Sequence, residues 1–184
     1  MEDFGGNPWK TLRSRIAYKN SWISVREDAV ITPAGGEGIY GVVQAPGALG
    51  VVALTPNNEV YLVGQYRYPV NEYSWEIVEG GREAGESLVE AAQRELREEA
   101  GLVALRFEQL GGEVHTSNCF TDERAYLYIA QDFSEVATAH EVTEKLQIEK
   151  VALGECLAMI DRSEIKDAMS IIALQRAAKF IGVV

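Results

Sequence analysis

The sequence predicts a mixed α/β domain, and three observations carry that expectation. The chain has 184 residues, 47% of them apolar, enough to close one core without reaching the length at which chains usually split. Its apolar residues fall in short, strand-length runs separated by turn residues, which is the punctuation of an α/β or α+β layer structure. One central segment, Ser87 to Gly101, carries helix signals at both ends.

Taken in order, Ile23–Ile31 and Ile39–Gln44 read as strands flanking Thr32-Pro33-Ala34-Gly35-Gly36, a hairpin at the front of the chain. Residues 1–45 are therefore expected to form a strand and hairpin segment, packing on the domain or on a second subunit, and residues 46–184 the main domain. Ala48–Leu54 and Glu59–Tyr66 are apolar strands separated by Thr55-Pro56-Asn57-Asn58, and Trp75–Val78 leads toward the central helix. Beyond it come strands near Phe107–Val114 and Ala125–Ala130, a last strand over Leu146–Ala152, and closing helices over Leu153–Ile160 and Asp167–Phe180. There are no repeats or low-complexity tracts.

The central helix holds the chemistry. Ser87 with Glu90 three residues on makes a capping box, and Gly101 suits a left-handed stop. At ~100° per residue, Leu88, Ala92 and Leu96 define the buried direction, and Glu95 and Glu99 project within about 20° of Leu88 on either side. Glu90, Gln93, Arg94 and Arg97 should face water. Two carboxylates turned inward one turn apart, each costing several kcal/mol if unpartnered, imply a compensating cation. All-oxygen ligands favour Mg²⁺ or Mn²⁺.

Charge and cysteine content narrow the class of partner. A formal net charge of −11 repels polyanions and argues against general nucleic-acid binding. No run approaches the ~20 apolar residues of a membrane span, the N-terminus lacks a secretory pattern, and two cysteines are too few for a disulfide framework. A cytoplasmic protein with free thiols is the expectation.

From Gly80 to Leu102 the chain fits G-x5-E-x7-R-E-U-x-E-E-x-G-U, with U a bulky aliphatic, at every defined position: Gly80, Glu86, Arg94, Glu95, Leu96, Glu98, Glu99, Gly101 and Leu102. This resembles the signature box of the Nudix hydrolases. The resemblance implies an α/β/α sandwich with a mixed sheet and metal-dependent hydrolysis of a diphosphate linked to a nucleoside or another group. By position it implies Glu95, Glu99 and Glu98 as metal ligands, Glu98 directly or through water, with the Glu79 carbonyl as a further ligand. Arg94 would orient the glutamates through a salt bridge.

Gln65-Tyr66-Arg67-Tyr68-Pro69-Val70 and Trp75-Glu76, with Thr121-Asp122-Glu123 and Glu164–Ala168, are similar to Nudix enzymes that cleave ADP-ribose and related nucleoside diphosphate sugars. That likeness implies a nucleotide-sugar substrate contacted by Arg67, Trp75 and Glu76, products AMP and ribose 5-phosphate, and a homodimer. Arg67 either contacts phosphate or pairs with a carboxylate, and Trp75 either stacks on a base or belongs to the core. Asn118 stands where ADP-ribose-preferring members carry proline, which keeps GDP-mannose, other nucleotide sugars and dinucleotides in view. His115 is expected to be a surface or packing residue, and Cys119 a small packed one. The general base is expected at Glu144 or Glu141, with Glu98 next. A non-catalytic nucleotide-sensing module would have favoured degenerate box glutamates, and an isomerase of allylic diphosphates would need residues outside the box that are not found here.

Overall fold

The computed structural model describes residues 5–83, 85–137 and 146–183. Its elements are β1 (Lys10–Lys19), β2 (Ser24–Ile31), β3 (Glu37–Gln44), β4 (Ala48–Ala53), β5 (Glu59–Arg67), β6 (Glu72–Glu76), β7 (Val78–Gly81), α1 (Leu88–Ala100), β8 (Leu102–Gln109), β9 (Val114–His115), β10 (Arg124–Glu135), β11 (Gln147–Ala152), α2 (Leu153–Asp161) and α3 (Ala168–Phe180). They divide into two compact units, one running to Pro46 and including His115–Glu123, the other formed by Gly47–Val114 and the chain from Arg124 onward.

The first unit is a three-stranded antiparallel sheet in the order β1-β2-β3. The expected hairpin is present, with Ser24 opposite Gln44 and Ile31 opposite Glu37, and its turn is closed by Gly35 N–H donating to Thr32 O at 2.8 Å. The first strand was not among the expected elements. It pairs with β2 from Lys10↔Ile31 to Lys19↔Ser24, and its period-two apolar positions Leu12, Ile16 and Tyr18 remain more than half exposed. Lys10, Arg13, Arg15 and Lys19, interleaved with them, dilute the alternation that marks a strand.

The second unit contains a mixed sheet, β7-β4-β10-β8, and an antiparallel one, β11-β5-β6. Within the mixed sheet β4 and β10 run parallel, while β8 and β7 flank them antiparallel. Buried on both faces, β4 reads as a continuous apolar run rather than an alternating one. Leu49, Val51, Ala53 and Tyr61 pack with Ala91, Ala92 and Leu96 of α1, whereas Val52, Leu54, Leu62 and Leu127 pack with Leu153 and Cys156 of α2 and with Ala173 and Leu174 of α3. The result is the α/β/α layering with a mixed sheet that the resemblance implied.

Two boundaries differ from expectation. The stretch before the box is two strands, not one: Glu76 pairs with Val63 in the antiparallel sheet, Val78 pairs with Val51 in the mixed sheet, and Ile77 passes between them. The strand after α1 starts at Leu102 rather than near Phe107, because Leu102 and Ala104 alternate into the core while Leu105 faces solvent.

The helix ends follow the local signals. Ser87 Oγ accepts from Glu90 N–H at 3.2 Å and a Glu90 carboxylate oxygen accepts from Ser87 N–H at 2.8 Å, while Gly101 sits at φ 65° and donates to Arg97 O. Ser87→Ala removes the cap, so it is expected to cost about 1 kcal/mol, roughly 3 °C in thermal unfolding, with the secondary structure unchanged by circular dichroism.

Candidate active site

The site is built where α1 lies against β7. Glu95 turns onto the backbone of Gly80, and a Cβ on that glycine would fall within bonding distance of the Glu95 carboxyl carbon. Glycine is required there by close approach. One turn on, Glu99 is buried and its Oε2 accepts from Glu79 N–H at 3.1 Å. Both inward carboxylates therefore rest on the strand preceding the helix, as the helical period indicated. Glu98 is more exposed and reaches Arg94.

Arg94 does not face water as expected. Its side chain folds back over the loop entering α1, so that Nε donates to Glu86 Oε1 at 2.8 Å, Nη1 to Glu95 Oε1 at 2.8 Å and Glu98 Oε2 at 3.0 Å, and Nη2 to Gly81 O at 2.8 Å. A long helical side chain leans toward the N-terminus of its helix, and the guanidinium's planar fork matches several acceptors at once. The helical projection gives the direction of Cα–Cβ and not the reach of five further atoms. With Arg94 and Glu83 N–H donating to it, Glu86 is held below the usual carboxylate range.

Beneath this layer, Arg67 on β5 donates from Nε and Nη2 to Glu76, which is almost fully buried at 3% exposure. The same guanidinium lies 4.0 Å from Glu79. The Glu79 side chain runs toward α3, where Ser170 Oγ donates to it at 3.0 Å. Burial first, and then the neighbouring Asp167 charge, raises the Glu79 carboxyl well above the ordinary glutamate range. Trp75 packs on the core and edge-on to Tyr73, with ring centroids 5.7 Å apart.

His115, Asn118 and Cys119 belong to the first unit, and Cys119 is exposed rather than packed, its carbonyl accepting from Tyr40 Oη at 2.6 Å. Glu141 and Glu144 are outside the described residues. Residues not anticipated are Ser170 and Asp167. Asp167 was readable as the cap of α3, where it accepts from Ser170 N–H at 2.7 Å, but nothing local signals the reach of Ser170.

The donors suit a hard divalent cation in kind. Glu95, Glu99, Glu98 and the Glu79 carbonyl offer only oxygen, and Gly80 leaves a cradle that a side chain would fill. Among the described residues no three acidic, histidine or cysteine side chains already stand in a ligand arrangement. Arg94 draws Glu95 and Glu98 to itself.

Comparison with known proteins identifies the family and the fold. A NUDIX domain model matches residues 45–178, and a model described as the nucleoside diphosphate sugar hydrolase N-terminal domain matches residues 9–43. The chain belongs to the Nudix family. It is 33% identical to a methanol dehydrogenase activator of Bacillus methanolicus, over 90% of each chain. It is 29% identical to an ADP-ribose pyrophosphatase of Bacillus subtilis, over 90% of each, and 31% identical to one from Mycobacterium tuberculosis, over 89% of this chain and 80% of that one. A crystal structure of an ADP compounds hydrolase shares the fold with a TM-score of 0.82 at 18% identity, covering 95% of each chain. This protein is thus a Nudix hydrolase similar to the ADP-ribose pyrophosphatases. No helix among the described residues is long and apolar enough to cross a membrane.

The largely covered Glu79 carboxyl gives a pH test on metal-free protein. A raised carboxyl pKa contributes stability that is fully present below the ordinary glutamate value of 4.5 and is lost as pH rises above it. Glu79→Gln keeps an acceptor for Ser170 and a donor toward Asp167 without that titration. Chelator-treated Glu79→Gln is expected to match the wild type in denaturant unfolding near pH 4 and to exceed it at pH 8.

Proposed function

We propose that this enzyme hydrolyses the diphosphate bond of a nucleoside diphosphate sugar in a Mg²⁺- or Mn²⁺-dependent reaction, and that ADP-ribose is cleaved to AMP and ribose 5-phosphate. The observation that carries this reading is the seating of Glu95 on Gly80 beside Glu99 on the Glu79 amide, within a chain whose relatives include ADP-ribose pyrophosphatases. Glu95, Glu99, Glu98 and the Glu79 carbonyl would hold the metal. When bound, it would neutralise charge on the diphosphate oxygens and favour attack by water.

The remaining roles fall to the chain's own groups. Arg94 orients Glu95 and Glu98 and ties both to Gly81 and Glu86. Arg67, braced by Glu76, is the proposed contact for a substrate phosphate. Trp75 is given to the core rather than to base stacking, because it packs there and Gly64 opposite leaves room for its ring. The proton is taken from water by Glu144 or Glu141, failing which Glu98 is the base. We assign the enzyme to the cytoplasm and to a homodimer in which the first unit's strands contribute the interface. GDP-mannose, other nucleotide sugars and dinucleotides remain the alternative substrates, since Asn118 replaces the proline of ADP-ribose-preferring relatives.

Incubation with nucleotide sugars, dinucleotides and nucleoside triphosphates is expected to release a nucleoside monophosphate and a sugar phosphate from ADP-ribose, only with Mg²⁺ or Mn²⁺ present. No monophosphate from any of them would end the enzymatic reading. Glu99→Gln keeps shape while deleting a ligand charge, so kcat should fall by at least about 100-fold with the fold intact. Wild-type activity in Glu99→Gln at saturating Mg²⁺ would remove Glu99 from the ligands. Between Glu141→Gln and Glu144→Gln, the variant lacking the base should lose kcat and the acid limb of its pH–rate profile while Mn²⁺ affinity stays near wild type, and full kcat in both would pass the role to Glu98.

A further inference from the structure

Where the chain passes from one sheet to the other, a backbone donor belongs to neither ladder. Glu76 is the last residue paired with β5 and Val78 the first paired with β4, so the N–H of Ile77, a fully buried residue, must find a partner elsewhere. It donates to Ser170 Oγ at 3.0 Å, and that hydroxyl in turn donates to Glu79 Oε1 at 3.0 Å. Ser170 is itself completely buried. Its position is set by Asp167, whose carboxylate accepts the Ser170 N–H, and by the packing of Met169 and Ala173 on the core.

The segment held in this way carries the box. Glu76, immediately before it, is clamped by Arg67. Glu79, at its end, donates its N–H to Glu99 Oε2, and Gly80 supports Glu95. We propose that Ser170 is a positioning residue for the box: its hydroxyl anchors Ile77 and Glu79 to α3 and so sets where the Glu99 carboxylate and the Glu79 carbonyl stand. The inference rests on the reading of Glu99 as a metal ligand. Loss of the hydroxyl releases two points of one short segment, and the displaced group is a ligand, so metal affinity is the property that must change.

The test is Mn²⁺ binding by the full-length protein, followed by the electron paramagnetic resonance signal of free Mn²⁺, alongside Mg²⁺ titrations of activity. Ser170→Ala is expected to weaken Mn²⁺ binding about tenfold and to raise the Mg²⁺ concentration for half-activity similarly, with most of kcat recovered at saturating metal. Ser170→Cys, which keeps the volume with a poorer hydrogen-bonding group, should behave alike and carries the comparison if Ser170→Ala unfolds. Ala173→Gly, one turn along α3, destabilises the helix without touching the hydroxyl, and should lower Tm with Mn²⁺ affinity at the wild-type value. Equal weakening by Ala173→Gly would make Ser170 merely structural. Wild-type affinity in both Ser170 variants would overturn the proposal while leaving Glu99 to its own variant, and no Mn²⁺ binding by the wild type would overturn both.

Discussion

Two carboxylates directed into a protein rather than out of it impose the constraint from which the rest of this structure follows. Glu95 and Glu99 share the flank of α1 with Leu96 and Ala92, and an ionised carboxylate removed from water must be met by donors or by a cation. The chain answers with a backbone amide at Glu79, a glycine that lets Glu95 approach the strand, and Arg94, which gathers Glu86, Glu95, Glu98 and the Gly81 carbonyl on one guanidinium. Each device is local to the loop, helix and strand of the box. The arrangement is nevertheless only as fixed as the strand beneath it.

That strand is held from three directions. β7 pairs with β4 inside the mixed sheet, Arg67 on β5 clamps Glu76 just before the crossing, and Ser170 on α3 holds Ile77 and Glu79 from the other side. The two cores stand on opposite faces of β4, Val51 toward α1 and Val52 toward α3. Position in the site is therefore transmitted through closely packed layers, whose low compliance suits the proposed role of these carboxylates as ligands, a role that needs placement to a fraction of an ångström.

What could be read in the sequence divides by range. The ends of α1 were legible because capping box and left-handed stop are made by residues three or four apart, and the inward turn of Glu95 and Glu99 because the helical period alone determines it. The sandwich and the family followed from the spacing of nine residues. Missing were features decided by distant partners or by side-chain reach. β1 is a strand because β2 offers it an edge, and its basic residues mask the alternation. Ile77 divides one apolar run between two sheets, a choice made by β5 and β4. Arg94 leans away from the direction its Cβ projects, and Ser170 lies 93 residues from the amide it satisfies, so no window along the chain joins them.

The central claim is that the inward carboxylates of α1 exist to hold a divalent cation against the Glu79–Gly80 backbone. The most direct measurement is the anomalous difference map of crystals grown with Mn²⁺. The account predicts a peak within ligand distance, roughly 2.0–2.4 Å for such oxygen donors, of carboxylate oxygens of both Glu95 and Glu99. A peak elsewhere in the protein, with no Mn²⁺ within ligand distance of Glu95 and Glu99 at saturating Mn²⁺, would contradict it.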